Sequence, residues 1–77
     1  MDKDLQEYYE QRFGMFGSKG WKDLVEDLNN MKKVTSDINN YSDEKSFWLA
    51  KGELRILNWF LNLEELTTEG YNSLKEE

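Results

Sequence analysis

The sequence predicts an all-α domain, either a small three-helix bundle or a helical hairpin with an N-terminal helix, that oligomerises. Three observations predict this class. The 77 residues include no Pro, so the chain lacks the residue that most often stops a helix. Apolar residues recur at the i, i+3, i+4 spacing of one helix face along three long segments. Polar clusters rich in Gly, Asn, Ser and Asp separate these segments, as short loops do.

The length and composition indicate a single domain over residues 1–77. A chain of 77 residues is close to the size at which one hydrophobic core only just offsets the entropy of the chain. The sequence has no Cys, so disulfides cannot add stability. We therefore expect contacts with a second copy or with another protein to contribute to the stability of the fold.

The charge and the missing residue types exclude much chemistry. There are 16 Asp and Glu against 10 Lys and Arg, a formal net charge of -6, which disfavours the phosphate contacts of a nucleic-acid-binding protein. The absence of His and Cys removes the commonest general base, the commonest metal ligands and thiol chemistry. We expect no enzyme activity, no metal, no cofactor and no small-molecule substrate.

The first predicted helix runs from Asp2 to Phe16. Its apolar residues follow one face, and Asp2 and Asp4 lie where the N-terminal end of the helix dipole favours negative charge. Three aromatic residues belong to that face: Tyr8, Tyr9 and Phe13. Packing against the rest of the bundle is favoured for them over a ligand platform, and they are expected to contribute to a protein interface.

A glycine-rich turn precedes the second predicted helix. Gly14, Gly17 and Gly20 suit a helix end and a tight reversal. Their spacing is not that of a phosphate-binding loop, and no strand is predicted before them. Ser18 is expected to cap a helix that runs from Trp21 to Asn39 or Asn40 with one clean apolar face. This helix is expected to pack antiparallel to the next one.

The third predicted helix is the longest and runs from Asp43 to Glu65 or Leu66. Ser42 and the acidic residues after it mark its start by capping and by the helix dipole. Thr67–Gly70 is interpreted as a break. The tail over residues 67–77 is expected to fray or to form one short docked turn, because few apolar residues anchor it.

The segment Ser46–Leu63 carries two apolar faces instead of one. A helix that is apolar on two sides must pack between neighbouring helices or between subunits. The first face comprises Phe47, Ala50, Leu54, Leu57 and Leu61. The second comprises Trp48, Gly52, Ile56, Trp59 and Leu63, with Leu49 and Phe60 beside it. Because large aromatic residues are frequent anchors of interfaces, we expect the second face to bind a protein partner.

Two residues of this helix are unusual, and each has two explanations. Gly52 costs about 1 kcal/mol relative to Ala in a helix, so either another helix approaches closely there or the glycine relieves crowding beside Trp48. Glu53 lies at the seam of the two faces. It is either a buried, partnered residue that sets the register of an interface or a partly exposed residue that pairs with Lys or sits at the seam.

The chain contains the strings GWKDLVEDL at Gly20–Leu28 and KGELRILNWFLNLEE at Lys51–Glu65. Both resemble strings in a group of small uncharacterised helical proteins of tailed bacteriophages. Proteins of that group have a GWK helix, an acidic turn, and then a KG-containing helix with Leu repeats that closes with LEE. The resemblance implies a phage origin and a small helical, oligomeric protein, and it assigns no catalytic residue.

The sequence is therefore compatible with three functions. The first is a non-enzymatic protein–protein interaction module, a bacteriophage structural or assembly component that self-associates or docks on a larger partner. The second is an acidic phage-encoded inhibitor that binds a host enzyme and imitates the charge of DNA. The third is a nucleic-acid-binding module that uses Lys19, Trp21, Lys22, Lys32 and Lys33.

The sequence also predicts where the protein resides. Charged residues interrupt its only apolar run, so no membrane association is expected. The N-terminal residues lack the basic and apolar regions of a signal peptide. The expected location is the host cytoplasm or the virion.

Overall fold

The computed structural model describes residues 1–76, and the secondary structure of these residues is entirely helical. This confirms the all-α class. The four α-helices are α1 (Lys3–Phe16), α2 (Lys19–Thr35), α3 (Glu44–Leu61) and α4 (Leu63–Lys75), with a 3-10 turn at Ile38–Asn40. The expected count of three helices is corrected to four, because the third predicted helix ends at Leu61 and a further helix follows.

Side-chain caps explain where the first three helices begin. The carboxylate of Asp2 accepts a hydrogen bond from the backbone N–H of Leu5 at 2.7 Å, and the hydroxyl of Ser18 accepts one from Trp21 at 3.1 Å. The carboxylate of Asp43 accepts from the N–H of Ser46 at 2.7 Å. Ser18 was expected to cap α2, and it does so.

The tail is helical, contrary to the expectation of a frayed end or a single turn. α4 covers thirteen residues, and only Glu77 of the predicted tail lies outside the described residues. Thr67 is buried and Gly70 lies inside the helix, where a Cβ would be 3.0 Å from the hydroxyl of Tyr9. Gly70 therefore allows α4 to approach α1 closely, and it does not end the helix.

The four helices form two arms, each bent once. Gly17 and Ser18 separate α1 from α2, and Ser18 is extended with φ -80° and ψ 152°. Asn62, with φ -97° and ψ 4°, separates α3 from α4. No described residue has a positive φ, so the glycine-rich turn bends the chain without the left-handed conformation that its glycines permit.

The arms lie antiparallel, and each helix of one arm packs against a helix of the other. α2 packs against α3, and α1 packs against α4. Phe16, Trp21 and Leu63 form a buried cluster where the two bends meet, with Phe13 and Val25 packed against it. The indole N–H of Trp21 donates to the carboxylate of Glu64 at 2.7 Å across this junction.

The resulting molecule is long, flat and thinly cored. Its extents are 51 × 27 × 16 Å, and its radius of gyration is 16.4 Å, whereas a compact domain of this length has about 11 to 12 Å. An arm of about 33 residues spans about 50 Å as helix, which accounts for the longest dimension. No side chain among residues 1–76 is less than 2% exposed.

Candidate interaction surface

One side of helix α3 packs against the rest of the chain, and the opposite side is exposed to solvent. Its buried and half-buried apolar residues share the side that faces α2, and they are Phe47, Ala50, Leu54, Leu57 and Leu61. These are the residues of the first face that the sequence predicts. The intramolecular packing therefore uses one of the two apolar faces of this helix.

The other side of α3 is exposed, and we name it the α3 apolar face. At about 100° per residue its members cover about 120° of the helix circumference. Trp48 is 57% exposed, Ile56 58% and Trp59 50%. The face comprises Trp48, Leu49, Gly52, Ile56, Trp59 and Phe60. An exposed, contiguous apolar surface of this kind is a candidate interaction site.

Leu63 differs from the other predicted interface residues of this segment. On a continuous helix it would lie beside Trp59, but the helix is interrupted at Asn62. Leu63 instead begins α4 and is 7% exposed, in the cluster with Phe16 and Trp21. Leu63 is therefore part of the core, and only the small exposed part of its side chain lies at the surface, beside Trp59.

The three aromatic residues predicted on α1 divide between the core and the surface. The half-buried rings of Tyr9 and Phe13 contact Tyr71 of α4, with ring centroids 5.5 and 5.4 Å apart. Tyr8 is exposed, and its hydroxyl accepts a hydrogen bond from the guanidinium of Arg12 at 2.8 Å. Tyr8 is thus the member of this set that is free to contact a partner.

Tyr8 and Trp59 lie on the same side of the molecule. They line a shallow recess of about 220 Å³ between α1 and the junction of α3 with α4. The other residues around it are Tyr9, Arg12, Leu63, Leu66 and Thr67. The recess extends the α3 apolar face onto α1, so four of the eight predicted interface residues meet there.

Gly52 lies in open space at the centre of the α3 apolar face. Outside its own turn and chain neighbours, no atom lies within 4 Å of the position that a Cβ would take. Crowding beside Trp48 therefore does not explain this glycine. No other helix of the described chain approaches it either, so the close approach that Gly52 permits is unused within the chain.

Charged residues border the α3 apolar face on both sides. Glu53 is exposed at one edge, and Arg55 and Lys51 lie at the other. The ammonium of Lys51 stands 4.9 Å from the ring centre of Trp48. Within residues 1–76 the only ion pair joins Lys19 and Asp23, so Glu53 and Arg55 have no ionic partner there. Glu53 thus occupies the seam position and does not pair with Lys.

Two of the five residues that the sequence suggests for nucleic-acid binding make other contacts in the structure. Trp21 is buried against Phe16, with ring centroids 5.1 Å apart, so its ring cannot stack on a base. The ammonium of Lys19 is bound to Asp23 at 2.9 Å.

The described part of the chain holds no group of three acidic side chains that could bind a metal ion.

The sequence-based prediction missed the contribution of α4. Leu66 is 45% exposed beside the recess, and Tyr71 anchors α1 from the other side. The signal was present, because Leu63, Thr67, Tyr71 and Leu74 follow the i, i+4, i+8, i+11 spacing of a helix face.

Comparison of the chain with protein-family models, with curated proteins and with solved structures finds no match. The surface itself is therefore the basis for a functional interpretation. None of the helices within residues 1–76 has both the length and the apolar character needed to cross a bilayer.

Proposed function

We propose that this protein is a non-enzymatic protein–protein interaction module whose working surface is the α3 apolar face. The observation that carries the proposal is the exposure of Trp48, Ile56 and Trp59 on one side of a helix whose opposite side is already packed. Aromatic side chains of this size dominate the binding energy of interfaces when a partner removes them from water.

The recess beside Trp59 supports the same function. Tyr8 and Leu66 extend the exposed apolar surface beyond α3, so a partner can contact three helices at once. The resemblance of Gly20–Leu28 and Lys51–Glu65 to small phage proteins supports a role in bacteriophage structure or assembly. The module would then act in the host cytoplasm or in the virion.

Affinity capture from phage-infected bacteria tests the proposal. Wild-type protein is expected to retain capsid or tail proteins, identified by mass spectrometry, whereas Trp59→Glu is expected to lose them. Val34→Glu is the matched control, because Val34 is 65% exposed on α2, away from the α3 apolar face.

Two outcomes would change the proposal. Equal recovery by Trp59→Glu and wild type would show that the α3 apolar face is not the working surface. Recovery of a host polymerase, nuclease or repressor in place of virion proteins would favour the acidic inhibitor over the assembly component.

A further inference from the structure

We propose that the occupant of the α3 apolar face is a second copy of this chain, with the two α3 helices parallel and in contact at Gly52. Glu53 of each copy then lies beside Arg55 of the other. The inference rests on the proposed function, because it uses the same surface and names its partner.

The exposed area of the chain is the first argument for a second copy. The chain exposes 6166 Å². A compact monomer of this mass exposes about 4,900 Å², so the excess is about 1,200 Å². A stable interface of standard size buries about 800 Å² on each partner. The excess is therefore enough for one such interface per chain.

The thin core is the second argument. The buried apolar residues are Phe16, Trp21, Ala50, Leu57 and Leu63. Helix α3 has α2 as its main neighbour, and its opposite side is exposed. Domains are normally built from two packed layers around one core. A second copy on the α3 apolar face supplies a packed layer on the side of α3 that the chain leaves exposed.

Gly52 is the third argument. It costs about 1 kcal/mol relative to Ala in a helix, and nothing within the described chain uses the space that it leaves. A facing helix can approach closely at such a position. Trp48 and Ile56 stand one turn to either side, so their side chains would flank the contact.

The border charges set the orientation of the two helices. Measured from the centre of the face, Glu53 lies about 80° round the helix to one side and Arg55 about 80° to the other. A twofold axis parallel to the helices places opposite edges together, so each Glu53 meets the other copy's Arg55. An axis perpendicular to the helices places like edges together, and like charges repel.

Sedimentation velocity of the purified protein from about 1 to about 200 μM tests the association. We expect a monomer–dimer equilibrium that Ile56→Glu abolishes and Val34→Glu leaves unchanged. Wild-type protein that stays monomeric throughout would overturn the second copy as occupant. The proposed function would still be decided separately, by the capture experiment.

Charge exchange tests the orientation. In the parallel arrangement, residue 53 of each copy meets residue 55 of the other, so Glu53→Arg or Arg55→Glu creates two pairs of like charges at the interface. Each of these variants is expected to raise the dimer Kd about ten-fold. The double variant restores opposite charges and is expected to return to within about three-fold of wild type. If the single variants dimerise as well as wild type, the parallel arrangement is wrong.

Gly52→Ala tests the close contact without endangering the fold, because Ala favours the helix. We expect it to raise the dimer Kd about ten-fold or more. Gly14→Ala is the matched control, since Gly14 is also helical with nothing within 4 Å of a Cβ. A dimer Kd that is equally unaffected by both substitutions would overturn the contact at Gly52.

Discussion

At the scale of single residues, Trp21 holds the junction of the two arms together. Its ring packs on Phe16, and its indole N–H donates to Glu64 at 2.7 Å. The hydrogen bond joins the first turn of α2 to the first turn of α4, which are 43 residues apart in the chain. Buried indole N–H groups normally find such a partner.

Glu64→Ala is expected to lower the free energy of unfolding by about 1 kcal/mol more than Glu65→Ala, measured by urea denaturation. Both glutamates lie in the first turn of α4 and favour its dipole equally, but only Glu64 accepts the indole hydrogen bond. Equal losses for the two variants would show that the bond contributes nothing to stability.

The carboxyl of Asp43 makes the stability of the fold depend on pH. Hydrogen bonds from the backbone N–H and side chain of Ser46 lower the pKa of its carboxyl below the ordinary value of 3.8. A pKa lowered by folding means that the charged form stabilises the fold above the pKa of the unfolded state. This stabilisation is lost as the pH falls through the pKa of the folded state.

Asp43→Asn is therefore expected to keep the cap and to remove this contribution to the pH dependence. Denaturation midpoints measured from about pH 6 to about pH 2 should fall less steeply for the variant than for wild type. Asp37→Asn is a comparison, since Asp37 caps only the 3-10 turn. A slope unchanged by Asp43→Asn would contradict the assignment.

At the scale of helices, local signals predicted starts better than ends. Ser18 could be identified from its place before an apolar repeat, because a cap depends only on neighbouring residues. The end of α3 at Leu61 could not be identified in this way, and the apolar spacing of α4 was outweighed by residues that disfavour a helix. Thr67, Thr68 and Gly70 have low helix propensity, but Thr67 is buried and Gly70 packs against Tyr9 of α1, and such tertiary contacts favour the helix.

Tyr71 is the residue through which α4 contributes most to this packing, because its ring contacts both Tyr9 and Phe13. Tyr71→Ala is expected to lower the free energy of unfolding by about 2 kcal/mol and to reduce helix content, measured by circular dichroism in urea. Asn72→Ala, on the exposed side, is expected to change it by less than about 0.5 kcal/mol. Similar urea midpoints for Tyr71→Ala and Asn72→Ala would mean that α4 unfolds independently of the other helices.

At the scale of the whole molecule, the class could be predicted and the shape could not. Helical periodicity is a local property, and it separated the residues of α3 that pack on α2, such as Ala50 and Leu57, from exposed ones such as Trp48 and Trp59. Which face the chain covers depends on how its arms pair. The bends at Ser18 and Asn62 place α1 against α4, so α3 keeps only α2 as its main neighbour. Of the predicted surface, Leu63, Tyr9 and Phe13 were drawn into the fold for this reason.

The lack of any fully buried side chain in the described chain links stability to concentration. If association supplies part of the core, unfolding also requires dissociation, and the melting temperature must rise with protein concentration. For a hundred-fold increase we expect a rise of about 5 to 10 °C by calorimetry. A melting temperature independent of concentration would show that the monomer is stable by itself.

Such a dependence would link the lifetime of each copy in the cell to the amount of protein already present. At low rates of synthesis most copies would remain single, open more often and be degraded by proteases, which cleave unfolded chains. At concentrations above the dimer Kd, pairing would protect a growing share of the copies, and the amount of protein would rise more than in proportion to its synthesis. The thin core would then determine when the protein becomes abundant, in addition to how firmly it folds.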